Sequence, residues 1–187
     1  MPADDPTALL SRALDQAGTI ISRVRPEQAS LPTPCSAWDV RALVNHVVVD
    51  LLHFTALATG EAWEEPEGDL IGDDWPGAYR KAADELLAAW RRPGALDGTV
   101  RLPFGEFPAS WRIDHQATDL AVHGWDVAKA TGQPTDLDPE VGELALAWAW
   151  QNLQPQFRGR DFGPEVPVAA DAPLYDRLAG FFGRDPS

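Results

Sequence analysis

The chain has 187 residues, 24% charged and 44% hydrophobic, with 17 prolines and 15 glycines, the composition of an ordered globular protein punctuated by firm stops. Its formal net charge of −14, from 29 acidic and 15 basic residues, repels nucleic acid and anionic lipid and leaves no basic footprint for either. One cysteine, Cys35, excludes an internal disulfide framework and a cysteine-based zinc knuckle, and fits a reducing cytosol.

Met1-Pro2-Ala3-Asp4-Asp5 lacks the basic region and apolar run of a secretion signal, and no uninterrupted apolar stretch approaches membrane-spanning length. A cytoplasmic protein with a single domain over residues 1–187 is therefore expected. Asp5-Pro6 predicts a helix start, with Asp5 as the cap. Leu9, Leu10, Ala13, Leu14, Ala17, Ile20, Ile21 and Val24 then recur at helical spacing. Pro26 and the run Leu31-Pro32-Thr33-Pro34-Cys35 force an extended connection. Ser36, with Asp39 three residues on, resembles a capping box and opens a second helix through Val40, Leu43, Val44, Val47, Val48, Leu51 and Leu52. This helix carries His46.

The acidic stretch 59–74 reads as a loop carrying Trp63, and a third helix starts near Asp73 or Asp74 and ends before Pro93-Gly94. Thr99-Val100-Arg101-Leu102 and Glu106-Phe107 flank Pro103-Phe104-Gly105, which predicts a small hairpin or a long loop. A fourth helix runs from about Ser110 to Thr131-Gly132, and Asp138-Pro139 opens a fifth that reaches Leu153. After a long loop over 154–172, a short helix from Leu174 to Phe182 closes the chain. The fold class is all-α: an up-down four-helix bundle, whose cofactor sites are built from side chains on facing helices.

On the fourth helix Asp119 and His123 lie one turn apart on one face, with Asp126 on the next turn. Carboxylate and imidazole so placed can share a divalent metal. A histidine from another helix completes a three-ligand site with an open position, the arrangement of a catalytic rather than a structural ion. His46 is the candidate for that third ligand. His115 and Asp126 are alternative ligands, and Asp126 is also placed to orient a ligating imidazole. Trp125, beside His123, is the candidate pocket wall. His53 and Asp50 read as structural or solvent-facing, Cys35 as packing, and Trp38, Trp75, Trp90, Trp111 and Trp148 as mostly core.

Pro32-Thr33-Pro34-Cys35-Ser36-Ala37-Trp38-Asp39-Val40-Arg41 with Asn45-His46, then Asp119 to Asp126, Asp171-Ala172-Pro173-Leu174 and Gly183-Arg184-Asp185-Pro186, resemble the DinB-like metal-binding proteins related to the N-terminal domain of mycothiol-dependent maleylpyruvate isomerase. The resemblance runs nearly end to end. It implies a four-helix bundle binding a divalent metal, usually taken as zinc, through His46, Asp119 and His123, and use of the low-molecular-weight thiol mycothiol. The isomerase has glutamate where this chain has Asp119, and maleylpyruvate isomerisation itself is not implied.

The expected function is a metal-dependent S-transferase or isomerase in which a metal-bound thiolate attacks a small electrophile. One carboxylate and two neutral imidazoles leave a divalent ion with net charge near +1, which suits an anionic thiolate. Zinc is the expected ion, with nickel or manganese as alternatives, and the partners are a small-molecule thiol and an electrophilic substrate, with the protein a monomer or homodimer. A non-catalytic metal-binding stress or interaction module and a metal-dependent hydrolase are the other readings.

Overall fold

The structure, a computed structural model, describes residues 5–102, 105–153, 158 and 162–187. Its helices are α1 (Ala8–Ser22), α2 (Val40–Thr59), α3 (Trp75–Trp90), α4 (Trp111–Thr131), α5 (Pro139–Asn152) and α6 (Leu174–Phe181). A two-stranded antiparallel hairpin of β1 (Thr99–Leu102) and β2 (Gly105–Pro108) precedes α4, with Val100 opposite Phe107. The all-α bundle with a small hairpin is the fold expected from the sequence. The expected loop over 154–172 falls partly outside the described residues.

Helix ends follow local chemistry. Asp74 and Asp138 cap α3 and α5, each just ahead of a proline in the first turn. Two starts differ from expectation. Asp5 does not cap α1; its Oδ1 accepts from the Thr7 backbone N–H at 2.9 Å and the Thr7 hydroxyl at 2.7 Å, closing a side-chain turn that delays the helix to Ala8. Ser36 does not open α2 either. Pro32 and Asp39 form an antiparallel bridge, so the chain stays non-helical until Asp39, whose Oδ1 accepts from the Ala42 N–H at 2.9 Å.

Around the bundle α1 packs on α3 and α4, and α2 also packs on α3 and α4, which places α1 and α2 across a diagonal. Leu10, Leu14, Ile20, Val44, Leu51, Leu86, Leu120 and Trp125 fill the interior, and α5 and α6 cover the outer face of α4. Averaged over its length, α2 is long and apolar enough to cross a membrane by composition alone, with a mean hydropathy of 1.4. Within the fold it is a bundle helix whose polar groups have partners. Arg41 reaches Asp69 at 2.8 Å, and the Asn45 carboxamide accepts from the Leu70 N–H at 2.7 Å, pinning the acidic loop to α2.

Asp138 also ties α5 to α1, because its two oxygens accept from Nε and an Nη of Arg12 at 2.8 Å each. Burial raises its pKa, but the Arg12 hydrogen bond and the backbone cap outweigh this and hold the carboxyl below its ordinary range. Asp138→Ala is expected to lower stability by about 1–2 kcal/mol, roughly 1 for the cap and up to about 1 for the ion pair. Because the folded pKa is depressed, this contribution is present above the unfolded carboxylate pKa and is lost as pH falls through the folded value. Thermal unfolding of both proteins should show the gap closing in acid; a gap independent of pH would contradict the assignment.

Candidate metal centre

The candidate ligands meet where the first half of α2 faces the middle of α4. Thr33 organises the approach: its single hydroxyl proton is shared between the carbonyls of Cys35, at 2.9 Å, and Trp38, at 2.8 Å, fixing the turn that delivers Trp38. The Trp38 indole stacks on His46 with centroids 4.2 Å apart and planes at 23°. His46 meets the His123 ring edge-on at 5.3 Å. Its side chain is 27% exposed, so small molecules can reach it. Burial, then the positive field of His123, pushes the His46 pKa down to about 4, which keeps the imidazole neutral at neutral pH.

On α4, His123 Nδ1 lies 3.2 Å from Asp126 Oδ2. Asp126 is fully buried and is clasped by Arg184, whose Nε and Nη2 reach its two oxygens at 3.3 and 3.2 Å. A carboxylate paired with a guanidinium can only accept, so the network assigns a proton to His123 Nδ1 and turns Nε2 away from Asp126. Arg184 gets there because Gly183 turns the chain in the left-handed region, φ 81°, and a Cβ at Gly183 would sit 2.8 Å from Gly163 Cα.

Asp119 lies one turn before His123, but its Oδ2 is 3.5 Å from His115 Nε2. His115 in turn is stacked on Trp148 at 4.8 Å and 6°, against α5. Asp50, one turn after His46, places its Oδ2 3.3 Å from His46 Nε2. It is therefore part of the cluster and not simply a solvent-facing residue. Burial and the neighbouring charge of Asp119 push its carboxyl up to about 7. As placed, the donors pair two by two, and among the described residues no three His, Cys, Asp or Glu side chains are grouped to hold one ion.

Between these pairs lies a cavity of about 10 Å³ bounded by Asp50, Gln116, Asp119, His123 and apolar side chains. That is room for about one water-sized species. Gln116 is 2% exposed, and neither its Oε1 nor its Nε2 has a partner. A buried carboxamide wanting both a donor and an acceptor marks a place for a non-protein atom. With the nitrogen and oxygen donors around it, the cavity fits a divalent ion, although the donors must rotate to converge. Larger clefts of about 560 and 400 Å³ flank α1, and neither is lined by a histidine.

A family model described as the mycothiol maleylpyruvate isomerase N-terminal domain matches residues 10–128, a span holding both helices of the cluster. The chain belongs to this family. Among curated proteins it is similar to two from Mycobacterium tuberculosis strains, uncharacterized protein MT0763 and uncharacterized protein Rv0738. Each is 38% identical over 184 residues, covering 96% of this chain and 98% of the relative. No solved structure matches. Membership agrees with the resemblance carried by the Trp38–His46 and Asp119–Asp126 segments.

Several residues of the cluster had no role assigned from the sequence. Trp125, expected at the pocket wall, is 1% exposed and packs in the core; the ring stacked on a candidate ligand is that of Trp38, on His46. Gln116 had no motif to announce it, and Arg184 lay in the Gly183-Arg184-Asp185-Pro186 segment without a role assigned to it. Cys35 is half-buried near Arg184, and burial raises its thiol pKa, which agrees with a packing role.

Proposed function

We propose that the protein is a divalent-metal-dependent S-transferase or isomerase that uses mycothiol, with His46, Asp119 and His123 as the metal ligands. The observation that carries this reading is the edge-on approach of His46 on α2 to His123 on α4, with Asp119 and His123 lining a small cavity beside the unpartnered carboxamide of Gln116. Membership of a mycothiol family supports the thiol.

A divalent ion held there supplies the positive charge that favours thiolate over thiol at neutral pH. The chain's own residues set the stage for it. Asp126, locked by Arg184, fixes the tautomer of His123 so that Nε2 is free to ligate. Desolvation keeps His46 neutral and hence a competent ligand, and Trp38 covers one face of its ring against water. The exposed edge of His46 gives the thiol its approach, and the expected ion is zinc, with nickel or manganese as alternatives.

The test is metal content by plasma mass spectrometry on tag-free protein, for wild type, His46→Ala and His123→Ala, with mycothiol titrated against each. Near-stoichiometric metal in wild type, lost in both variants together with thiol binding, is the expected result. Metal without thiol dependence would point to hydrolysis or to a binding module. Wild type that takes up no zinc, nickel or manganese would return both histidines to a packing role.

A further inference from the structure

We infer that Asp50 is a fourth protein donor of the metal centre, making it a two-histidine, two-carboxylate site; this rests on the metal reading above. The two helices offer matched pairs. On α2, His46 is followed one turn later by Asp50; on α4, Asp119 is followed one turn later by His123. One imidazole and one carboxylate therefore come from each helix, on the faces that meet, since residues four apart share a helix face.

Three observations place Asp50 with the ligands and not with the solvent. Its Oδ2 stands 3.3 Å from His46 Nε2. Two donors each ~2.0–2.2 Å from one zinc-like ion at a tetrahedral angle are separated by roughly that much. Next, Asp50 and Asp119 line the same small cavity, and among the described residues neither makes an ion pair with a lysine or arginine. Two carboxyl groups facing one small cavity with no fixed lysine or arginine give a bound cation two oxygen donors to share. Finally, the unpartnered carboxamide of Gln116, 2% exposed, opens on that cavity, an independent sign of a missing occupant.

A second carboxylate changes what the site prefers. Two carboxylates and two neutral imidazoles cancel the formal charge of a divalent ion, where one carboxylate would leave +1. More oxygen among the donors moves preference toward manganese and cobalt relative to a nitrogen-rich set. A thiol would then approach a centre held neutral by Asp50, Asp119, His46 and His123, where the three-ligand set would present a charge of +1.

The full-length protein, stripped with chelator, would be titrated with cobalt(II) and with manganese(II) by calorimetry, and the cobalt form followed by its visible absorption. Asp50→Asn is expected to weaken both ions at least about 10-fold, no less than the loss of an outer-shell partner, and to alter the cobalt bands. Circular dichroism checks that the metal-free variant is folded. If it is not, Asp50→Glu keeps the carboxylate at a new reach and should bind cobalt with a shifted spectrum. Unchanged affinity and bands in D50N, or unchanged bands in D50E, overturn the inference. If His46→Ala still abolishes binding, the three-ligand site survives that result. No binding by wild type overturns both.

Discussion

Arg184→Ala is expected to destabilise the protein by about 3–5 kcal/mol, the cost of leaving a buried carboxylate without its counter-ion. Asp126 is fully buried and Arg184 is 5% exposed, so water cannot replace the guanidinium. The same change frees Asp126 from its fixed geometry, and with it the anchor of His123 Nδ1, so metal affinity should fall as well. Urea unfolding gives the first quantity and ion titration the second. Adding Asp126→Asn to the Arg184 variant should recover part of the stability, because it removes the stranded charge, but not the affinity. A loss below about 1 kcal/mol in R184A would mean that water reaches Asp126 and that the pair is not a buried one.

The second large effect separates two tryptophans. Trp125→Ala is expected to cost about 3–5 kcal/mol, as emptying a fully buried aromatic site does, and to leave the ligands in place. Trp38→Ala removes a half-buried ring and should lower the melting temperature much less, while weakening ion and thiol binding through the loss of the surface stacked on His46. Melting curves and titrations of the two variants should rank them in opposite orders. If W125A left stability intact and changed ligand binding, the roles given to the two rings would be reversed.

The exchange of those tryptophans shows where sequence was a good guide. Trp125 adjoins His123 in the chain, but two steps along a helix turn a side chain about 200° away, toward the core. Trp38 is eight residues before His46 and returns to it through a turn held by Thr33, which no spacing rule reveals. The Asp119/His123 spacing and the contact of Asp126 with His123 were legible because both are local to one helix. Asp50 had the same spacing from His46, yet a pair one turn apart on an otherwise apolar helix reads equally as a surface contact. Arg184, 58 residues from Asp126, depends on tertiary packing alone. Among the helix starts, Asp138 declared itself beside Pro139, and the choice between Asp73 and Asp74 fell to Asp74. Ser36 matched a capping pattern that the bridge between Pro32 and Asp39 overrides.

The diagonal placement of α1 and α2 bears on the order in which the chain can assemble. α2 packs on the next helix in sequence, and α4 on the one after it, so those pairs close over short stretches of chain. α1 has no such neighbour: its most extensive contact is with α4, nearly a hundred residues downstream. During synthesis it emerges well ahead of α4, and its apolar stripe of Leu10, Leu14, Ala17, Ile20 and Ile21 stays incompletely covered until α4 has left the ribosome. The docking of α1 onto α4 therefore comes late, and it brings Ala17, Ile20 and Ile21 around a small cavity shared with His123.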